Sequence, residues 1–133
     1  MTALKTRLVP GYQGTFPVGA TEIPKGSCVK LSSSLLIVTT GNEDGIGVTD
    51  EIGYVGKDCR VNIPGPIIEA LAHDSSITEN QRVVPAASGR VDGIGTLTGG
   101  VTYSCGIALM ASSAQDQLIS IILVWTVLPK AAA

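Results

Sequence analysis

The sequence predicts a mainly β protein: a small β-barrel or sandwich of short strands behind an extended N-terminal arm. Three observations lead there. Gly and Pro supply 16 and 7 of the 133 residues, a density of turn-formers that cuts a chain into short elements. Charged residues make up only 15%, and a low-charge, glycine-rich chain suits strands joined by turns better than helices. Apolar residues reach 44%, enough to build a core and to exclude a disordered tail. The length fits one compact domain.

Residues 1–20 are the expected arm. Pro10, Gly11, Gly14, Pro17 and Gly19 break any periodicity, and such a segment orders only where something receives it. Leu4, Leu8, Val9, Tyr12 and Phe16 provide apolar anchors at irregular spacing, so the arm is expected to bind a neighbouring chain largely through its backbone. The pattern changes at Ile23. Cys28-Val29-Lys30-Leu31 and Leu35-Leu36-Ile37-Val38-Thr39 read as strands around a Ser32-Ser33-Ser34 turn. Gly41 to Gly45 is a turn, Ile46-Gly47-Val48 a strand, and Cys59 to Ile63 alternates apolar and polar with period two. Pro66 to His73 carries helix formers behind a proline, but its context favours a strand. In the last strand, Ile119, Ile121, Leu123 and Val127 are assigned to one face, with Ile122, Val124 and Trp125 on the other. A strand apolar on both faces is buried or part of an interface, which makes Ile122, Val124 and Trp125 candidate subunit contacts. The β domain is expected to span 21–128, with 129–133 a C-terminal tail.

The second half rhymes with the first. Ile23 to Val29 resembles Ile77 to Val83, Ile46-Gly47-Val48 resembles Ile107-Ala108-Leu109, and Arg60 to Ile63 resembles Ile119 to Ile122. The offset drifts, so the pattern is that of a degenerate duplication and not of a solenoid.

Signatures of chemistry are thin. The sequence has no GxSxG elbow, P-loop or HExxH. Three widely spaced cysteines and the single His73 give no zinc cage; buried thiols are the expected state of Cys28, Cys59 and Cys105. Gly93 to Gly99 lacks the spacing of a dinucleotide loop. Asn42, Glu43, Asp44, Asp50 and Glu51 are oxygen ligands in principle, but without EF-hand order they read as solvated turn residues. An unusual catalytic site around His73, Asp74 and Cys105 is the enzyme alternative. Net charge is −2, which speaks against nucleic acid as a partner. The longest apolar run, Ile119 to Leu128, is too short for a membrane helix. No h-region follows the basic start. A soluble protein made in the cytoplasm, with neither cofactor nor metal, is expected.

Glu22 to Leu31, Gly45 to Thr49, Arg60 to Gly65 and the turn Ile77 to Val83 follow an order that resembles the capsid cement, or head decoration, proteins of tailed bacteriophages. The likeness covers roughly residues 18–123 and departs at Asn80, where a glycine is common, and in the Ala86 to Gly100 loop. The resemblance implies a virion protein on the outer surface of an icosahedral head. It implies a homotrimer at three-fold sites that clamps neighbouring major capsid subunits and stabilises the shell. On that reading Leu4, Leu8, Val9, Tyr12 and Phe16 are capsid-binding residues. A small ligand- or glycan-binding β-barrel of a virion is the alternative, against which the sparse aromatics count.

Overall fold

The computed structural model describes residues 13–63, 67–94 and 101–129. It is nearly all sheet: β1 (Gln13–Pro17), β2 (Cys28–Ser32), β3 (Leu35–Val38), β4 (Gly47–Thr49), β5 (Asp58–Asn62), β6 (Ile67–Leu71), β7 (Arg82–Pro85), β8 (Val91–Gly93), β9 (Val101–Ala108) and β10 (Leu118–Pro129). Two five-stranded antiparallel sheets run β1-β5-β4-β2-β3 and β6-β10-β9-β7-β8. This is the mainly β architecture the composition predicts, and Ile67–Leu71 is the strand that context favoured over a helix.

The two sheet orders are one order used twice, with β6 to β10 repeating β1 to β5. The hydrogen bonds repeat as well. A parallel bridge Val18↔Leu36 returns as Ala72↔Val91; in each half it draws the two edge strands together and curls the sheet toward closure. Beside it, Gly19 N–H donates to Leu36 O at 3.0 Å, and His73 N–H to Val91 O at 2.8 Å. Gly26 N–H donates to Thr49 O, and Asn80 N–H donates to Ala108 O in the matching place. Both residues are left-handed, at φ 85° and 70°. Asparagine is the best substitute for glycine there because its short side chain tolerates that region.

The duplication also corrects the register read from sequence. Val29 pairs with Gly47 and Val83 with Gly106, so Gly47 corresponds to Gly106, two residues from the match that apolar similarity proposes. Thr49 pairs with Val61 as Ala108 pairs with Ile121, and Val48 with Asn62 as Ile107 with Ile122, so Val61 corresponds to Ile121, a slip of one residue from the proposed Val61–Ser120 match. Val61 and Ile121 are both fully buried, whereas a one-residue slip would turn a strand inside out. At both glycines the backbones nearly touch: a Cβ on Gly47 would lie 2.1 Å from Asn62 O, and one on Gly106 2.2 Å from Ile122 O.

The core follows the duplication. Val18, Ile23, Val29, Leu36, Cys59 and Val61 fill the first half. A larger cluster fills the second half, from Ile68, Ala70 and Ile77 to Ile119, Ile121 and Leu123, and takes in Cys28 and Val48 from the first. Neighbouring residues of β2, Cys28 and Val29, thus serve different clusters, and that is what packs the halves together. Leu71 N–H to Gly26 O at 2.9 Å and the Lys25–Glu69 ion pair at 3.5 Å cross the same junction.

The expected arm changes most. Gln13–Pro17 is an edge strand in register with Asp58–Asn62, and Val18 is buried in the core. Residues 13–20 therefore belong to the folded domain. Phe16, read as a capsid anchor, packs against the first-half core; the strand's own domain supplies the receiving edge that the arm was expected to find elsewhere. Leu4, Leu8, Val9 and Tyr12 lie outside the described residues, as do most of the Gly93 to Gly99 loop and residues 130–133.

Candidate functional site

β10 is long because it pairs on both sides, with β6 and with β9, and its alternation sorts the candidate contact residues. Ile119, Ile121 and Leu123 are fully buried, while Ile122 and Val124 are exposed on the opposite face. Ile122 sits between Ile67 of β6 and Ile107 of β9. Ile67 is the most exposed large apolar residue described, at 66%. The result is an apolar row across three strands with Val124 at its margin. Solvent contact of that kind on adjacent strands is a recognised mark of an interaction surface.

Trp125 does not belong to that row. Alternation by two already places Trp125 on the core face with Ile121 and Leu123, and the β10–β9 register shift between Leu123 and Thr126 re-aims the side chains beyond it. Trp125 is half-buried against the second-half core, with its ring over Gly45 of the first half. Val127, assigned to the buried face from sequence, is 56% exposed because it lies beyond that shift. A bulge leaves no local signature in an unbroken apolar run.

A second apolar cluster lies in the β4–β5 loop, where Ile52, Tyr54 and Val55 are exposed around Gly53. Gly53 and Ile23 exchange two backbone hydrogen bonds of 2.8 Å, which hold the loop against the core. Between the halves, an open polar groove of about 370 Å³ is lined by Gln13, Lys25, Asp50, Asn62, Ile67 and Glu69 among others.

The acidic turn residues have structural partners. Asn42 binds the Tyr103 backbone with both ends of its amide, at 2.8 and 3.1 Å, as a strand would. Glu43 meets Lys30 at 2.7 Å and caps Thr40 N–H at 2.6 Å; these contacts, Lys30 foremost, hold its carboxyl below the usual glutamate range. Asp50 and Glu51 both approach Arg60. Asp44 accepts from Gly45 N–H.

The three cysteines are free and buried. Cys105 Sγ lies 3.9 Å from Cys28 Sγ across the junction, and burial pushes the Cys105 thiol well up. A thiol so protonated is a poor nucleophile. His73 gathers instead with Asp74 and Asp92, a grouping without local sequence signal because Asp92 arrives through the closing bridge of the second sheet.

The sequence matches no protein-family model and none of the curated proteins. Among solved structures, the fold is similar to the crystal structure of the head fiber gp8.5 N base in bacteriophage phi29, at 13% identity with a TM-score of 0.67, covering 85% of this chain and 95% of that one.

Proposed function

We propose that this chain is a non-enzymatic structural protein of a bacteriophage virion, bound to the outer surface of an icosahedral head. The observation that carries the reading is the fold shared with the base of a head fibre over most of both chains. The sequence resemblance to head decoration proteins points the same way from different residues. In this reading the chain contacts the major capsid protein, forms a homotrimer at three-fold sites and cements neighbouring capsid subunits.

The chemistry on the surface is compatible with that work. Apolar side chains cluster on an outward sheet face, Ile67, Ile122 and Val124, and in the loop carrying Ile52, Tyr54 and Val55. Small interfaces repeated over a shell gain strength from multiplicity. We assign subunit contact to Ile122 and Val124, and capsid contact to the segment carrying Leu4, Leu8, Val9 and Tyr12. Heads lacking this chain, titrated with the purified protein and imaged by electron cryomicroscopy, test the reading. Three copies clustered at three-fold positions are expected. Single isolated copies would remove the trimer, and bare heads at saturating protein would remove the capsid reading itself.

A further inference from the structure

The two halves close their sheets with the same parallel bridge, yet differ in what stands beside it. In the first half the residues are Gly19, Ala20 and Ile37, which follow Val18 and Leu36 of the bridge. In the second half the corresponding positions are His73, Asp74 and Asp92, which follow Ala72 and Val91. Three apolar or absent side chains have become three metal-ligating ones at the same seam.

The replacements converge. One ligand atom from each of His73, Asp74 and Asp92 lies within 4.8 Å of the others, and all three residues are partly buried. His73 N–H is held by Val91 O at 2.8 Å, which fixes the ring's backbone beside β8. Ser76 Oγ lies 2.5 Å from Asp74 Oδ1 and 3.0 Å from Asp92 Oδ1. A hydroxyl has one proton and cannot donate to both; the backbone N–H groups of Ser76 and Gly93 donate to Asp74 Oδ1 and Asp92 Oδ1, each at 2.8 Å, and hold both carboxylates in place at the cluster. No lysine or arginine among the described residues forms an ion pair with either. Independently, His73 Nδ1 is closed off from solvent and has no hydrogen-bond partner. A buried ring nitrogen without a partner is costly, and a cation held between the ring and the two carboxylates would satisfy it.

We propose that His73, Asp74 and Asp92 bind one divalent transition-metal ion of the zinc class at the closing seam of the second sheet. An imidazole with two carboxylates suits Zn²⁺, with water in the remaining position. Ca²⁺ and Mg²⁺ take oxygen ligands almost exclusively and are disfavoured by the histidine. Because the ligands come from the end of β6 and from β8, the ion fastens the two edges of the curled sheet. This is a structural ion and needs no catalytic step.

The test uses the full chain stripped with a chelator, titrated calorimetrically with ZnCl₂, MgCl₂ and CaCl₂, and melted with and without each. One Zn²⁺ per chain is expected, with a melting temperature that rises with the logarithm of free zinc. His73→Ala and Asp92→Asn should each weaken zinc binding by about tenfold or more, and Cys59→Ala should leave it unchanged. Metal-free Asp92→Asn should melt close to the metal-free parent, since the amide keeps an oxygen to accept from Gly93 N–H and Ser76 Oγ; that readout separates a ligand from a residue needed only for folding. Absence of saturable zinc binding, zinc binding indifferent to both ligand substitutions, or a preference for Ca²⁺ or Mg²⁺ would each overturn the assignment.

Discussion

Replacing Gly106 by alanine tests the strand register at its tightest point. The added Cβ would stand 2.2 Å from the Ile122 carbonyl oxygen, where an ordinary carbon–oxygen contact is about 3.3 Å. β9 and β10 must therefore part by about 1 Å beside the Leu123↔Gly106 pair. Overpacking of this kind costs about 1–3 kcal/mol, and weakening a neighbouring ladder hydrogen bond adds about 1 kcal/mol. A loss near 3 kcal/mol lowers the melting temperature of a chain this long by about 10 °C. Gly47→Ala should behave alike, because its Cβ would meet Asn62 O at 2.1 Å. Gly41→Ala is the control: nothing lies within 4 Å of its Cβ, so its stability should stay within about 0.5 kcal/mol. Urea denaturation with thermal melts followed by circular dichroism reads all three. A Gly106→Ala protein as stable as the Gly41→Ala control would refute the register, and with it the correspondence between the halves.

Other outcomes follow from the same structure. Deleting residues 2–16 should lower the melting temperature by about 10 °C or more, since it removes most of β1 and the packing of Phe16; an unchanged melt would restore the free arm. Asn80→Ala should cost about 1 kcal/mol because φ is 70° there, while Asn80→Gly should be nearly neutral by urea denaturation. The Lys30–Glu43 contact holds the glutamate's folded pKa below its unfolded value. Its stabilisation is therefore present above the ordinary glutamate range and is lost as pH falls through the lowered folded value. Glu43→Gln should flatten that part of the acid limb in a pH series of melts. Ile122→Asp with Val124→Asp should leave the melt nearly intact, both side chains being exposed, yet abolish three-fold clustering on heads.

The strands were legible where local chemistry dictates them. Ser33 and Ser34 form a two-residue hairpin turn with positive φ at both positions, and β2 and β3 flank it in the expected places. The duplication was legible as a rhyme because Ile23 and Ile77, or Gly26 and Asn80, perform the same local task. Its later register was not, since Val61, Ser120 and Ile121 differ by which face they take, and only pairing reveals that. Phe16 looked like an anchor in need of a partner because no sequence signal ties Gln13–Pro17 to a strand over forty residues on. Trp125 obeys the alternation that its assigned face broke, a bulge turns Val127 outward, and Asp92 joins His73 only through a long-range bridge. Long-range closure is what periodicity along one strand does not carry.

The proposed head-surface role is most directly tested by co-sedimentation of the purified chain with heads that lack it. The account predicts saturable binding at a fixed number of copies per head, together with a higher temperature of head disruption once the sites are filled. Free protein remaining entirely in the supernatant, with heads disrupting at the same temperature as before, would contradict it.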